Sequence, residues 1–526
     1  MLLARVIEAS TTVAATRSRT AKVATLAQTL LEVTAEPDTA ARTIEVLADY
    51  LAGTVPQRRL GVSWRGLRDL PPPTDTAQLT VDDTDAALTA LGQEAGSGVA
   101  ARRRRAVHEL FGRATAREQQ WLVGAITGEL RQGASDGVIL QAIARATGVD
   151  EAVVRGAAMR AGYAAAVARV ALSAQDADSA RAALAAMSLR VGRPLRPMLA
   201  GSSPTVTDAL RPAETVAVER KLDGIRIQAH LWHQGPARQV RIYTRTLDDI
   251  TDRVPEVVEE LAALPADAVV VDGEIIAMRA DGRPEPFQVT GARTASSANP
   301  EQMRVDVPLT TVLFDVMYQD GSDLLEEPAS TRWAVLADLA PHLTVPRVVT
   351  SEATVAEEFF AAQVAAGHEG VVVKSLQAPY AAGRRGEGWV KVKPRHTFDL
   401  VVTAVEWGSG RREGLLSNIH LAARDERGEG LVMLGKTFKG MTDETLRWQT
   451  ERFLALETHR SQHVVHVRPE QVVEIAIDGV QRSQRYPGGI ALRFARVLRY
   501  RDDKNLGEID SLQQVIAACG SGIQPP

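Results

Sequence analysis

The sequence predicts three successive domains: an all-α domain, a mixed α/β domain and a small β-barrel. With 526 residues, the chain is long enough for roughly three domains of about 100–200 residues each. Residues 1–190 are rich in Ala, Leu, Arg and Glu at helical spacing, whereas short β-branched runs begin near residue 191. After residue 394 the runs alternate between apolar and polar positions, as barrel strands do. We therefore expect domains at residues 1–190, 191–394 and 395–526.

Helices should build the first domain. Residues 22–27 and 154–171 have helical spacing, and the second segment is apolar enough to lie in the core. The proline triplet at residues 71–73 should form a loop, because proline has no backbone donor for a helix or a sheet.

Short apolar runs predict the strands of the second and third domains. Those of the α/β domain, which we expect to be largely antiparallel, comprise residues 216–218, 240–243, 268–271, 310–316 and 370–373. Those of the barrel comprise residues 400–405, 419–423, 464–467 and 472–477.

Composition narrows the class of protein. Apolar residues make up 45% and charged residues 24% of the chain, values that are ordinary for a globular protein. The single cysteine, Cys519, excludes an intramolecular disulfide framework and a zinc site built from several cysteines. The first residues lack the apolar region of a signal peptide, and no apolar run reaches the length that spans a bilayer. We therefore expect a cytoplasmic protein with no membrane partner.

The segment at residues 219–226 is the most informative. It places Lys221, Asp223, Gly224 and Arg226 directly after a predicted buried strand. A glycine turn lets the backbone approach a ligand closely, which suits a nucleophilic lysine. In isolation the segment fits a solvated surface lysine at a strand edge better. A nucleophilic lysine also needs nearby cations or desolvation to lower its pKa.

Six further segments follow this one in a fixed order, and the set resembles the motifs of ATP-dependent DNA ligases of the three-domain type found in actinobacteria. The matching segments are residues 221–226, 243–245, 271–274, 313–315, 369–374, 389–393 and 492–504. The resemblance implies an ATP-grasp-like nucleotidyltransferase (adenylation) domain and a barrel with the OB-fold. It also implies sealing of 5′-phosphate/3′-hydroxyl nicks in duplex DNA through a lysyl-AMP intermediate and an adenylylated DNA 5′ end.

The resemblance assigns roles to individual residues. Lys221 would be the nucleophile that takes AMP from ATP. Glu274 and Glu369 would bind Mg²⁺, which Mn²⁺ could replace, because Mg²⁺ favours carboxylates, water and phosphate oxygens. The barrel would contribute the residues that orient pyrophosphate: Arg493, Arg496 and Lys504. The remaining ATP-binding residues would be Glu219, Arg226, Arg245, Phe314, Arg385, Lys391 and Lys393, with Glu274 as an alternative ribose contact.

The helical domain should bind the duplex. The resemblance places DNA contacts at Arg19, Lys22, Arg131 and Gly133. Small residues before a new helix favour phosphate, because the backbone amides of a helix start are unpaired. The basic run at residues 102–105 is either a second contact or a solvated helix face. Aromatic residues are only 4% of the chain, so contact with the duplex backbone fits better than base stacking on a single strand.

Several alternatives bear on this prediction. NAD-dependent ligases are disfavoured because one cysteine cannot build their zinc site. RNA ligases and capping nucleotidyltransferases share the lysine segment, but the long helical domain argues against them. A non-catalytic nick-binding protein is disfavoured by the intact lysines and glutamates. Ala495 stands where related ligases commonly have proline. We expect a monomer that works at the nucleoid; the sequence leaves open whether DNA repair, replication or recombination uses it, and whether a sliding clamp or repair proteins recruit it.

Overall fold

The computed structural model describes residues 1–36, 39–57, 60–130, 133–211, 214–383, 385–426 and 430–519. The chain divides into two compact units. The first comprises Met1–Met198, Asp320–Asp323 and Ala381–Gly383, and the second comprises Leu199–Gln319, Leu324–Tyr380 and Arg384–Pro526. Within the described ranges, no helix is long and apolar enough to cross a membrane.

The first unit is helical, as predicted. Its helices are α1 (Leu3–Ala15), α2 (Arg19–Thr34), α3 (Ala41–Leu51), α4 (Val81–Gln93), α5 (Val99–Gly112), α6 (Ala116–Thr127), α7 (Asp136–Thr147), α8 (Glu151–Ala161), α9 (Ala164–Leu172) and α10 (Ala177–Ala185). Thr80, Thr115 and Asp176 begin three of them with capping boxes, in which two unpaired backbone donors are satisfied reciprocally. One continuous apolar core joins the helices. The proline triplet lies outside helices and strands.

The apolar segment at residues 154–171 forms two helices. Gly162, at φ +84°, ends α8 in the left-handed conformation that glycine adopts without strain. A Cβ at this position would lie 2.7 Å from the carbonyl oxygen of Pro194. The apolar periodicity continues across this break, which is why the sequence alone did not reveal it.

Two sheets and a half-barrel build the second unit. Its strands up to residue 392 are β1 (Leu199–Ser203), β2 (Val216–Lys221), β3 (Ile225–Gln234), β4 (Ala237–Thr244), β5 (Val269–Ala277), β6 (Leu309–Gln319), β7 (Ser322–Asp323, counted with the first unit), β8 (Arg347–Thr350), β9 (Gly370–Ser375) and β10 (Arg385–Val392). The helices between them are α11 (Val206–Ala209), α12 (Pro255–Ala262), α13 (Phe287–Ala295), α14 (Pro300–Asp306), α15 (Ala329–Leu339) and α16 (Ala353–Ala365). Every strand predicted for the α/β domain is present.

Each of the two sheets has one apolar face and one polar face. The first has the order β1-β10-β9-β2-β8, in which only the β1–β10 pair is parallel. Its valines at 216, 218, 371 and 373 pack against α16. The second sheet contains β4, β3, β5 and β6 in that order, and a separate apolar cluster lies on one of its faces. Because side chains alternate along a strand, the residues between these apolar positions share the opposite face.

The remaining strands form the half-barrel. They are β11 (His396–Trp407), β12 (Leu416–Asp425), β13 (Gly430–Thr437), β14 (Glu457–Arg460), β15 (Val464–Val467), β16 (Val472–Ile477), β17 (Gly479–Arg482), β18 (Ile490–Arg493) and β19 (Arg496–Arg501), with helices α17 (Asp443–Ala455) and α18 (Leu512–Ala518). Strand β11 pairs with β12 on one side and with β15 and β16 in succession on the other. Strands β17 and β18 form a separate hairpin. In the part of the chain that the structure describes, four short 3-10 helices occur at Trp64–Leu67, Thr251–Arg253, Gly410–Arg412 and Leu506–Glu508.

A buried ion pair joins β6 to α15. Both side chains of Asp315 and Arg332 are fully buried, with Nε–Oδ1 and Nη2–Oδ2 distances of 2.7 and 2.9 Å. Arg332 also donates 3.1 Å to the carbonyl oxygen of Ala378. Several hydrogen bonds thus satisfy both charges, which a buried pair requires.

Replacing Arg332 with Met should lower the free energy of unfolding by about 3–5 kcal/mol, because Asp315 would stay buried without its cation. Denaturant titration of both proteins measures the loss. Arg304→Met is the control: it breaks the 2.8 Å pair with the exposed Glu259, and its loss of stability should be much smaller because water solvates both charges. Equal small losses in the two variants would contradict a structural role for the buried pair.

Candidate active site

Lys221 ends β2 on the polar face of the first sheet. The turn that follows is tight at Gly224, where a Cβ would lie 2.3 Å from the carbonyl oxygen of Ile275. Only glycine fits this approach, so the turn that follows β2 lies against β5. The Lys221 ammonium forms an ion pair with Glu369 and donates to its neighbour's carbonyl oxygen at 3.2 Å. The backbone of Glu369 is tied to the same strand, with its N–H 3.1 Å from the Lys221 carbonyl oxygen.

Glu369 binds two lysines at once. Its second carboxylate oxygen forms an ion pair with Lys393, which also lies 3.1 Å from Asp478. Burial acts to raise the pKa of Glu369, but Lys221 and Lys393 outweigh it and hold that pKa below its ordinary value. For Lys393, the same carboxylate and Asp478 overcome burial, so that its pKa lies above the ordinary one. Glu369 is therefore an anion at neutral pH.

Glu274 has the opposite character. Its Oε1 accepts a 2.6 Å hydrogen bond from the Gly224 N–H, which places it at the same turn as Lys221. Burial raises the pKa of Glu274 to about 7; Lys221 opposes this shift and Glu369 adds to it. The two carboxylates thus face one lysine with pKa values displaced in opposite directions. Such displaced values are typical of catalytic and metal-binding sites.

Arg226 is fixed by a buried acid. Its guanidinium lies 2.6 Å (Nη2–Oδ2) and 3.0 Å (Nε–Oδ1) from Asp272. The hydroxyl of the buried Tyr380 donates 2.6 Å to the same Oδ2. Arg226 also lies over the rings of Phe314 and Trp389, at 5.5 and 5.4 Å from their centroids. The arginine is therefore held rigidly beside an aromatic surface.

That aromatic surface and the buried polar groups around it form the candidate nucleotide pocket. Phe314 on β6 meets Trp389 on β10 edge to face, with centroids 5.8 Å apart. The Lys374 ammonium lies 4.7 and 4.1 Å from these two rings and forms an ion pair with the buried Glu219. Burial lowers the pKa of Lys374, although Glu219 opposes this. Flat rings beside a few buried polar groups are suited to a heterocyclic base.

From the barrel, the structure brings one predicted cation to this site. Arg493, at the end of β18, lies 2.8 Å from Oδ2 of Asp223, in the same turn as Gly224. Arg496 is exposed on β19. Lys504 lies 2.5 Å from Asp399 within the barrel. These two cations are thus not gathered around Lys221.

The structure gives less detail for the other predicted nucleotide contacts, Lys391, Arg245 and Arg385. Lys391 lies between Trp389 and Lys393 on the pocket face of β10, since every second residue of a strand shares a face. Arg245 is exposed in the turn after β4. The side chain of Arg385 lies outside the described structure.

In the helical unit, the starts of α2 and α7 lie together. Lys22 donates 2.7 Å to the carbonyl oxygen of Gly133, and Arg19 donates 2.7 Å to the side chain of Gln141. Two helix starts with adjacent cations form a suitable phosphate site. The prediction for Arg131 falls outside the described residues. In the basic run, Arg102 and Arg103 bind Glu94 and nearby carbonyl oxygens, whereas Arg104 and Arg105 are exposed.

Sequence reasoning did not assign roles to several residues of the pocket. Asp272 and Lys374 lie inside the motif segments. Asp272 is two residues from Glu274, and Lys374 is two residues from Val372, so strand geometry would have put them on the pocket face. Trp333, Arg347 and Tyr380 lie outside the motifs. For Tyr380 and Trp333 the sequence carries no signal, because their positions depend on tertiary packing.

The residues present fit ATP and a divalent cation. Buried polar atoms of the pocket lack hydrogen-bond partners within the described structure, as a site built for a ligand would: Glu219 Oε1, Lys374 Nζ and Trp389 Nε1. No cluster of three or more His, Cys, Asp or Glu ligands occurs in the described ranges. Two carboxylates, Glu274 and Glu369, are sufficient for Mg²⁺, which commonly completes its shell with water and phosphate oxygens.

Comparisons with known proteins match three segments of the chain to described families and nearly its whole length to curated relatives. Residues 197–393 match a family described as "ATP dependent DNA ligase domain", residues 412–504 match "ATP dependent DNA ligase C terminal region", and residues 65–144 match "DNA ligase N terminus". A "Probable DNA ligase" of Nocardioides sp. is 56% identical over 99% of both chains. "DNA ligase B" of Mycobacterium tuberculosis is 51% identical over 98% of this chain and 100% of its own.

The fold has a counterpart among solved structures. The structure titled "Pmar-Lig_PreS3" aligns with a TM-score of 0.60 at 19% identity, over 94% of this chain and 99% of that one. At this identity the likeness concerns the fold alone.

The raised pKa of Glu274 predicts a distinctive pH dependence of stability. Folded Glu274 keeps its proton up to about pH 7, whereas an unfolded glutamate loses it near pH 4.3. The contribution of Glu274 to the free energy of unfolding therefore falls as pH rises between these two values, by roughly 2 kcal/mol between pH 5.5 and 8. In thermal unfolding, the stability of Glu274→Gln relative to the parent protein should rise over this range, because glutamine does not titrate.

Glu259→Gln serves as the control for this prediction. Its hydrogen bond from Arg304 holds the pKa of Glu259 below its ordinary value, so that the group is ionised in both states above pH 5.5. The difference between this variant and the parent should then stay constant from pH 5.5 to 8. A constant difference for Glu274→Gln as well would show that Glu274 is not held protonated.

Proposed function

The chain belongs to the ATP-dependent DNA ligase family, and we propose that Lys221 carries the AMP through which it seals nicks in duplex DNA. ATP donates the AMP, and the family uses a divalent cation. The observation that supports this assignment best is the placement of one lysine between two carboxylates, Glu274 and Glu369, at the mouth of an aromatic pocket.

The proposed first step takes place at the Lys221 amine. Its nitrogen forms a bond to the α-phosphorus of ATP, and the bond to the β-phosphate oxygen breaks, releasing pyrophosphate. The amine must first lose a proton and leave its ion pair with Glu369. AMP then passes to the DNA 5′-phosphate, and attack by the 3′-hydroxyl expels it and seals the nick.

The other residues bind and orient the nucleotide. The base stacks on Phe314, with Glu219 at its polar edge, and Trp389 supports the Phe314 ring by packing against it edge to face. Arg226, Arg245 and Arg385 bind the sugar or phosphates, because guanidinium groups pair with phosphate oxygens bidentately. Lys391 and Lys393 face the α-phosphate. Mg²⁺ or Mn²⁺ held by Glu274 and Glu369 would neutralise phosphate charge during the reaction.

In this proposal, the barrel segment at residues 492–504 orients the pyrophosphate. Arg493 supports it, because its ion pair with Asp223 brings a cation to the turn of Lys221. For Arg496 and Lys504 the role rests on the motif alone. The hinge that lets DNA replace the barrel lies near residues 393–396, where the nucleotidyltransferase region meets β11.

The finer architecture is also part of the proposal. We assign residues 1–190 to duplex binding, 191–394 to an ATP-grasp-like adenylation domain and 395–526 to an OB-fold domain. Lys22, Arg19 and Gly133 support the first assignment through their position at two helix starts. A monomer working on the nucleoid in the cytoplasm, with or without recruitment by a clamp or repair protein, fits the substrate. The match of residues 65–144 to a DNA ligase N terminus favours DNA over RNA as that substrate.

Lys221→Ala should take up no label from α-labelled ATP, because no other amine occupies the position of the nucleophile. It should still seal a nick that is supplied already adenylylated. Lys221→Arg should fail likewise, since guanidinium stays protonated in proteins. Denaturing gels of the labelled protein measure the step. The control is Arg220→Ala, whose side chain donates to Gln363 on the opposite face of β2. Normal labelling of the Lys221→Ala protein would refute the assignment.

Arg493→Ala should slow self-adenylylation at least about tenfold, because a cation facing the leaving group is lost. Sealing of a pre-adenylylated nick should change much less. Single-turnover kinetics separate the two steps. The control, Arg499→Ala, removes an exposed β19 cation that pairs with Glu474 inside the barrel. Equal slowing of both steps by Arg493→Ala would mean that the barrel only holds DNA.

A further inference from the structure

Glu219 lies between two cations at the inner end of the pocket. It faces Arg347 across the antiparallel β2–β8 pair, with Nη2 of the arginine 3.0 Å from its Oε1. Its other oxygen pairs with Lys374. The carboxylate and the lysine are 2% exposed, and the arginine is 16% exposed. One negative and two positive charges thus meet where water is almost excluded.

The hydrogen-bonding capacity of this group is not used up. Arg347 and Glu219 form an ion pair by distance, but Glu219 Oε1 and Arg347 Nε and Nη2 have no hydrogen-bond partner of suitable geometry in the described structure. Unused polar atoms in a buried site cost free energy unless a ligand pairs with them. The group therefore presents an acceptor and several donors to whatever enters the pocket.

Arg347 is held in place by stacking. Its guanidinium lies 4.3 Å from the ring centroid of Trp333, on α15. A planar guanidinium on an aromatic face has little freedom to rotate. It can therefore fix the orientation of the carboxylate opposite it, which a flexible lysine would do less well.

We propose that Arg347 sets the selectivity for adenine by fixing the acceptor edge of Glu219. This inference rests on the proposed function, since it takes the base of ATP to stack on Phe314 with its polar edge at Glu219. Adenine carries an amino donor at position 6 and an acceptor at position 1. A 6-oxopurine has an acceptor and a donor there. A fixed carboxylate accepts from the amino group of adenine and repels the oxygen of a 6-oxopurine.

Removing Arg347 would leave Glu219 paired to Lys374 alone. The carboxylate could then turn towards the lysine, and its acceptor would no longer face the base edge. The pocket would lose discrimination between 6-amino and 6-oxo bases more than it would lose binding. Arg347 is thus a positioning residue that acts through Glu219.

The test compares self-adenylylation by ATP with the same reaction from ITP, in which hypoxanthine replaces adenine. In Arg347→Met, which keeps an apolar chain over Trp333, the ratio of kcat/KM for ATP over ITP should fall at least about tenfold, the equivalent of one lost hydrogen bond. Arg220 lies on the opposite face of β2 from Glu219, so Arg220→Met should keep the parent ratio. Arg347→Lys retains the charge and should fall between the two.

The outcomes separate this inference from the function on which it rests. An unchanged ratio in Arg347→Met, with a lowered ratio in Glu219→Gln, would overturn the role of Arg347 and keep the base in the pocket. Unchanged ratios in both variants would overturn the placement of adenine as well. If thermal unfolding shows that Arg347→Met does not fold, Arg347→Lys decides by the same ratio.

Discussion

The pocket depends on one carboxylate that neutralises two lysines. Glu369 pairs with Lys221 and with Lys393, and these three charges draw the ends of β2, β9 and β10 together. A lysine takes part in an ion pair as an ammonium, which is not nucleophilic. A bound cation would compete with the lysines for Glu369, and phosphates would offer Lys393 a new partner. We infer that the arrival of substrate, rather than a preformed neutral amine, frees Lys221 for attack.

Glu274 and Glu369 illustrate how one turn can give two glutamates different chemistry. Glu369 gains two cations and stays ionised, whereas burial dominates at Glu274. A cation that binds between them must displace a proton from Glu274 near neutral pH, so that metal affinity and proton release are coupled there. The tight approach at Gly224 makes this possible, because it sets the Glu274 carboxylate against the same turn that carries Lys221.

The order of elements and most of the site could be predicted from the sequence, because apolar alternation identifies strands and local segments carry the lysine and both glutamates. Lys221, Glu274, Glu369 and Lys393 lie together, and Phe314 lies beside Arg226. Long-range register was not predictable. Arg347 contacts Glu219 only because β8 pairs with β2, and no local pattern fixes that pairing. Likewise, charge alone could not distinguish Arg493, which reaches Asp223, from Lys504, which Asp399 holds inside the barrel.

The contacts between the barrel and the nucleotidyltransferase region have the character of a reversible interface. They include the Arg493–Asp223 pair, the Lys393–Asp478 pair and a 3.2 Å hydrogen bond from Gln288 to Gln481. The side chains of the first pair are 25% and 29% exposed. Partly exposed ion pairs contribute only about 0–1 kcal/mol each, since water replaces much of what is lost. The fully buried Asp315–Arg332 pair, in contrast, lies wholly within the nucleotidyltransferase region. Strong polar contacts thus hold the pocket itself, and weak ones hold the barrel over it. Under the proposed function, that distribution would let the barrel withdraw for DNA without disturbing the residues proposed to carry AMP.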